Sequence, residues 1–251
     1  MDKATLKELG ICVIIPTYNN KGTIMQVIQS VAEYCDDIFV VCDGPTDGTL
    51  ELVKQSAIPI NVVEYQPNKG KGTALVTGFR EALKRGFRYA ITLDSDGQHY
   101  PSDIPTFVET IKEHPDALII GSRGLKHDNM PQKNTFANKF SNFWFTVQTA
   151  QKLPDTQTGF RLYPLQKMGN MHIITSRYEA ELELLVRSAW RNIKIVPIPI
   201  NVYYPPQEER VSFFRPGKDF TRISILNTFF CFAAILYGYP SMLIRKISCK
   251  N

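Results

Sequence analysis

The sequence predicts an α/β protein, a mostly parallel sheet flanked by helices, followed by an amphipathic helical segment at the C-terminus. Three observations carry that expectation. Short apolar runs alternate with helical patterns over roughly the first 120 residues, polar residues gather directly after each run, and no charged residue occurs from Ile223 to Ile244. Strands separated by helices imply βαβ units with both sheet faces covered. Ligands on such sheets bind beyond the carboxyl ends of the strands.

The elements follow in order. Ile11 to Ile15, Ile38 to Cys42, Ile60 to Val63, Tyr89 to Leu93 and Ala117 to Ile120 read as strands. Between them, Thr23 to Glu33, Gly48 to Gln55, Thr73 to Lys84 and Ile104 to Glu113 read as helices. Leu125 to Lys133 is a polar loop, and Asn134 to Gln151 forms an aromatic helical pattern. Pro154 to Tyr163 is rich in turn residues, and a helix over Tyr178 to Trp190 and a strand over Ile193 to Val202 follow. Residues 1–205 are expected to form the catalytic domain, and residues 206–251 a basic, apolar segment that associates with membranes.

The chain has 251 residues, 43% hydrophobic and 21% charged, which excludes a disordered, collagenous or coiled-coil protein. Its net charge is +5, and the stretch from Arg210 onward, with seven basic residues and one acid, carries +6 of it. The remainder is close to neutral, so no nucleic-acid partner is expected. The five cysteines form no CxxC pair, which fits a reducing compartment rather than a disulfide framework. The N-terminus, MDKATLKELG, lacks the features of a signal peptide, and the expected location is the cytoplasmic face of the membrane.

The central motif is Asp94-Ser95-Asp96-Gly97-Gln98-His99 at the end of a strand. Asp94 and Asp96, with the Gln98 carbonyl, offer hard oxygen ligands suited to Mg²⁺ or Mn²⁺ bridging a diphosphate. The same aspartates can instead cap the helix that follows. Asp43, ending the second strand, can accept hydrogen bonds from a nucleobase, while Asp47 or Thr46 caps the next helix. Pro67-Asn68-Lys69-Gly70-Lys71-Gly72-Thr73 opens a helix like a phosphate cradle, without the P-loop spacing. His99 reads as a loop histidine, and Phe140, Phe143 and Trp144 as packing. Glu179 and Glu183 read as a solvated pair of acids, with Glu181 on another side of the helix, able to point into the site.

Taken together, Pro16-Thr17-Tyr18-Asn19, Asp43, Asn68-Lys69-Gly70-Lys71-Gly72 and Leu93-Asp94-Ser95-Asp96-Gly97-Gln98-His99 resemble the family 2 glycosyltransferases and their GT-A fold, a Rossmann-like sheet. Gly121-Ser122-Arg123 and Asp155-Thr156-Gln157-Thr158-Gly159-Phe160-Arg161 extend the resemblance. Within the family the chain is most similar to dolichyl- and polyprenyl-phosphate mannose or glucose synthases. The resemblance implies that Pro16, Tyr18 and Asp43 hold the nucleoside of a GDP- or UDP-linked sugar, with Lys71 near it in the donor site. It places Asp94 near ribose and metal, Asp96 and Gln98 on the metal and diphosphate, and Arg123 on an acceptor phosphate. Lys133 or Lys139 would supply a second cation where relatives have Arg. Asn20 stands where many relatives have Glu, and Arg210 and Ser212 fall where relatives carry Arg-x-x-Gly-x-Ser-Lys, as a candidate lid over the diphosphate.

The implied reaction is an inverting, metal-dependent transfer to a membrane lipid, a polyprenyl phosphate being favoured. A phosphate acceptor needs no strong base, whereas a glycan or glycolipid hydroxyl needs a carboxylate such as Asp155 to take its proton. A sugar-nucleotide-binding module without turnover is the alternative of a different class, and the complete Asp94, Asp96 and Gln98 set argues against it. From Ile223 an unbroken apolar helix is expected to end near Tyr237, because Gly238 and Pro240 follow. Basic residues flank the run on both sides, as suits peripheral or monotopic attachment.

Overall fold

The computed structural model describes residues 3–124, 132–169, 171–204 and 216–248. Seven strands form one sheet: β1 (Ile11–Thr17), β2 (Ile38–Asp43), β3 (Asn61–Tyr65), β4 (Tyr89–Thr92), β5 (Leu118–Arg123), β6 (Arg161–Pro164) and β7 (Ile195–Ile200). Their order is β3-β2-β1-β4-β6-β5-β7, with β6 antiparallel to both neighbours and every other pairing parallel. The helices are α1 (Lys3–Leu9), α2 (Ile24–Ala32), α3 (Thr49–Lys54), α4 (Lys71–Lys84), α5 (Ile104–Glu113), α6 (Gln132–Thr149), α7 (Leu165–Met168), α8 (Glu179–Trp190), α9 (Pro216–Ala233) and α10 (Tyr239–Ser248).

Every residue of β1 and β2 is buried, which is the price of placing helices on both faces. Alternation along the strands sorts their side chains into two cores. Cys12, Ile14, Phe39 and Val41 join one with residues of α4, α6, α8 and α9, while Ile11, Val13, Ile15, Ile38 and Val40 join the other with α2 and α5. Strand β7 reads Ile-Val-Pro-Ile-Pro-Ile and lies at the sheet edge, where prolines cost few ladder hydrogen bonds.

Register positions the site. Thr17 pairs with Cys42 and Ile14 with Thr92, so Tyr18 and Asp43, and likewise Pro16 and Asp94, emerge at the same level of one sheet edge.

Two expectations are corrected. The turn-rich segment ends in strand β6, whose four residues are too short for a periodic signal. The C-terminal helix does not stop near Tyr237: helical backbone runs from Gly217 to Ile247, passing through a π-helical stretch at Ala234–Gly238 into α10. Pro240 has no N–H to donate and would crowd the carbonyl four residues back, and a wider π turn there relieves that conflict. The expected boundary between residues 205 and 206, together with Arg210 and Ser212, lies outside the described residues.

Candidate functional site

The carboxyl ends of β1, β2 and β4 and the amino end of α4 enclose a cavity of about 180 Å³. Residues singled out in the sequence line it: Pro16, Tyr18, Asn20, Asp43, Lys71, Asp94 and Asp96, with Asn68 and Gly70 of the motif that opens α4. Arg177 and Tyr178, just ahead of α8, complete the wall and belong to none of the motifs.

Asp43 is only 2% exposed. Its carboxylate accepts hydrogen bonds from the backbone N–H groups of Lys69 (2.7 Å) and Gly70 (2.8 Å) and from Asn68 Nδ2 (2.9 Å). Burial pushes its pKa up, and the bonds from Lys69 and Gly70 oppose that shift. The carboxylate thereby shapes the turn that leads into α4. Its oxygens reach the cavity as part of a fixed wall rather than as free acceptors.

Lys71, in the first turn of α4, places Nζ 2.6 Å from Asp94 Oδ1 and 3.1 Å from Glu181 Oε2. Burial disfavours the ammonium, but the two carboxylates outweigh it and hold Lys71 protonated. Burial likewise works against the Asp94 anion, and Lys71 reverses the balance, so Asp94 stays ionised. Among the described residues Asp96 has no such cation in contact. Burial, then the neighbouring Asp94 charge, push its carboxyl up to about 6, although the Gln98 N–H donates to Oδ1 at 3.0 Å. Gly159 explains how Asp94 fits: a Cβ there would stand 2.6 Å from Asp94 Oδ2 and would displace the carboxylate.

Beyond this cavity, Arg123 at the end of β5 grips Asp155. Nε donates to Oδ2 at 2.6 Å and Nη2 to Oδ1 at 3.0 Å, and the backbone N–H groups of Arg123 (3.2 Å) and Gln157 (3.0 Å) add to the same carboxylate. Burial opposes ionisation of Asp155, but the hydrogen bond and charge of Arg123 keep its carboxyl below the ordinary range. A weakly basic, fully occupied carboxylate is poorly suited to take a proton from a hydroxyl. The geometry makes Asp155 an anchor for Arg123. Lys139 is exposed on α6, Lys133 lies in the same helix with its side chain outside the described residues, and Gln98 does not line the cavity.

The solvated acid pair is also corrected. Glu183 is fully buried and accepts from the Ile174 and Thr175 N–H groups, Thr175 Oγ1 and Arg187 Nε, while Glu179 is 5% exposed and lies 3.7 Å from Arg222 Nη1. Apart from Arg187, one turn on along α8, those partners come from a loop and from α9, which no helical period announces. His99 is buried against Phe160, and burial pushes its pKa down to about 4, leaving a neutral ring. Arg161 is fully buried and donates to the carbonyls of Thr156, Thr158 and Glu181, tying the Thr158-Gly159-Phe160 turn to α8.

Among the described residues no cluster of three His, Cys, Asp or Glu side chains is preset to hold a metal. Asp94 and Asp96 nonetheless fit a hard divalent ion, because their mutual repulsion at the cavity is what such an ion relieves. Two carboxylates suit Mg²⁺ or Mn²⁺ when substrate phosphates and water fill the other positions.

Helices α9 and α10 cover one side of the same domain. Leu226, Phe230 and Ala234 enter the core, and the Gln148 amide donates to Asn227 Oδ1 at 2.9 Å. Outward, Ile225, Phe229, Phe232, Ile235 and Leu236 are all exposed, Leu236 by 81%. Thr221 and Thr228 return their hydroxyls to the carbonyls of Gly217 and Ser224, which removes the donors from the outer surface. Phe143 of α6 is exposed as well.

Residues 12–168 match the family model described as Glycosyl transferase family 2. A UDP-N-acetylglucosamine–dolichyl-phosphate N-acetylglucosaminyltransferase of Methanococcus voltae is 27% identical over 215 residues, covering 77% of this chain and 86% of that protein. A polyprenol monophosphomannose synthase of Mycolicibacterium smegmatis is 28% identical over 200 residues, covering 75% of each. Among solved structures, glucosyl-3-phosphoglycerate synthase of Mycobacterium tuberculosis, in complex with Mn²⁺, UDP and phosphoglyceric acid, shares the fold. Its TM-score is 0.68 at 18% identity, over 92% of this chain and 80% of that one.

Proposed function

Because the chain belongs to glycosyl transferase family 2, and is a glycosyltransferase, we propose that it moves a sugar from a nucleoside-diphosphate sugar to a polyprenyl phosphate at a membrane surface. The observation that carries this reading is the cavity in which Pro16, Tyr18, Asp43, Lys71, Asp94 and Asp96 meet. A GDP- or UDP-linked donor would lie there with its diphosphate toward Asp94 and Asp96. Those two residues would hold Mg²⁺ or Mn²⁺, which would supply Lewis-acid stabilisation of the departing diphosphate.

The remaining chemistry falls to the chain. Lys71 keeps Asp94 ionised and aimed, and Arg123, fixed by Asp155, presents a guanidinium to the acceptor phosphate. An acceptor oxygen forms the new bond to the anomeric carbon as the bond to the donor diphosphate breaks, and the electron pair leaves with the nucleoside diphosphate. No proton has to move. That economy favours a phosphate over a hydroxyl acceptor, since Asp155 is committed to Arg123. The apolar outer face of α9 and α10, rimmed by Lys218, Arg222, Arg245 and Lys246, supports monotopic attachment to the cytoplasmic leaflet.

The test is transfer of labelled sugar from a panel of UDP- and GDP-sugars to a polyprenyl phosphate in detergent with Mn²⁺. Lipid-linked product that disappears in EDTA and in Asp96→Ala is expected. Full activity in EDTA, or product only with hydroxyl acceptors, overturns the reading.

A further inference from the structure

Arg177 has no place in the motifs, yet it lines the donor cavity. The segment before α8 lies directly on the first turn of α4: the Ser176 carbonyl accepts the Thr73 N–H at 3.1 Å, and a Cβ on Gly70 would stand 2.8 Å from Arg177 Cγ. The guanidinium therefore shares the cavity with Lys71 and with the amino end of a 14-residue helix. Both cationic features favour an anion.

The two cations differ in how they are engaged. Lys71 is held at 2.6 and 3.1 Å by Asp94 and Glu181. Arg177 Nε forms no hydrogen bond among the described residues and stands 3.7 Å from Asp219 Oδ1, a loose ion pair beyond hydrogen-bond distance, and the arginine side chain keeps 20% of its surface exposed. Asp219 sits in the first turn of α9, with its side chain 1% exposed. A second contact, Arg222 Nη1 to Glu179 Oε1 at 3.7 Å, seats the next turn of α9 against the start of α8. A side chain as flexible as arginine loses less entropy on binding when a buried carboxylate already limits its rotamers.

On the donor reading above, we infer that Arg177 binds an anionic oxygen of the donor diphosphate and that Asp219 positions it. The diphosphate is the part of the donor that carries the charge a guanidinium selects, and an arginine can offer it two parallel N–H groups. Arg177 is then a substrate-binding residue, and Asp219 acts through it.

The experiment is calorimetric titration of the full chain, in detergent with Mn²⁺, using UDP, GDP, uridine and guanosine. For the diphosphate that the wild type binds, Arg177→Ala should weaken affinity roughly 10- to 100-fold, as expected for a lost hydrogen bond between charged groups, and leave the nucleoside affinity unchanged. Arg177→Gln, which retains length and hydrogen-bonding capacity, guards against a folding defect and should show the same selective loss. Asp219→Asn should weaken the diphosphate by several-fold and not the nucleoside, with Asp219→Glu recovering part of it. Adding Asp219→Asn to Arg177→Ala should cost nothing more, because a positioning residue acts only through its partner. Wild-type diphosphate affinity in Arg177→Ala and Arg177→Gln, or equal losses for nucleoside and diphosphate, overturns the inference and leaves the donor reading intact. Unchanged diphosphate affinity in Asp219→Asn overturns the positioning role. If the wild type binds neither diphosphate, the donor reading itself fails and this inference falls with it.

Discussion

Replacing Asp155 with Asn separates an anchor from a base. Asp155 is fully buried, and its oxygens receive Arg123 Nε at 2.6 Å, Arg123 Nη2 at 3.0 Å and two backbone N–H groups. Asparagine keeps the shape and one acceptor, but it turns an NH₂ toward a donor and leaves a guanidinium whose side chain is 15% exposed without its counter-charge. Removing one partner of a buried pair costs roughly 3–5 kcal/mol. At about 2–4 °C per kcal/mol for a chain of this size, the melting temperature should fall by roughly 6–20 °C. The lower half is expected, since Arg123 keeps some water. The pH dependence has a definite sign. Burial is outweighed by the hydrogen bond and charge of Arg123, so the folded carboxyl lies below its unfolded value of about 3.9. The stabilisation is complete above that value and is lost as pH falls through the folded one. The difference in stability between wild type and Asp155→Asn should hold between about pH 5 and 8 and shrink below about pH 4. Thermal unfolding across pH, with transfer kinetics, is the assay. An anchor predicts a raised acceptor KM and a modest loss in kcat. A melting temperature within about 2 °C of wild type, joined to a kcat reduced roughly 10²- to 10⁴-fold, would refute the reasoning and restore a general base.

Two further outcomes follow from packing. Gly159→Ala should displace the Asp94 carboxylate that its Cβ would meet at 2.6 Å, costing about 1–3 kcal/mol of stability and weakening Mn²⁺-dependent nucleoside-diphosphate binding; unchanged binding would show that Asp94 is not needed there. The double variant Ile235→Glu with Leu236→Glu removes two side chains that are 66% and 81% exposed, so the fold should survive while vesicle partitioning drops at least about a hundredfold, from about 1.5–3 kcal/mol per apolar side chain. Co-sedimentation equal to wild type would discard the membrane reading.

The strand-end residues were legible because a parallel sheet delivers its carboxyl ends to one edge, and alternation with helices identifies those ends. Pro16, Asp43 and Asp94 reach one cavity for that reason alone. Arg177, Tyr178 and the Lys71–Glu181 contact were less visible, since they depend on where α8 lands against α4, a long-range packing event without local periodicity. Only the placement of Glu181 on a side of its helix away from Glu179 and Glu183 hinted at it. Strand β6 hid for a related reason: four residues, opening with a buried arginine, look like a loop until Thr92 and Ile120 pair with Arg161.

The C-terminal helix shows how a composition signal and a packing signal can both be present in one element. The uncharged run is expected to be an amphipathic, membrane-associating segment, and Leu226, Phe230 and Ala234 are buried while Trp190 packs edge-on against Phe230 and Tyr237. One face therefore belongs to the protein core and the opposite face is the exposed apolar one. A helix held along its length by its own domain cannot also be surrounded by lipid, so a spanning arrangement requires stripping α9 from α6 and α8 and leaving the Gln148–Asn227 pair without water or partner. Lying in the interface keeps both faces satisfied. It also means that a chain truncated at Asp219 would lose core side chains, and its altered partitioning would report unfolding. The exposed-face substitutions avoid that confusion, because they change only the surface that the bilayer would meet.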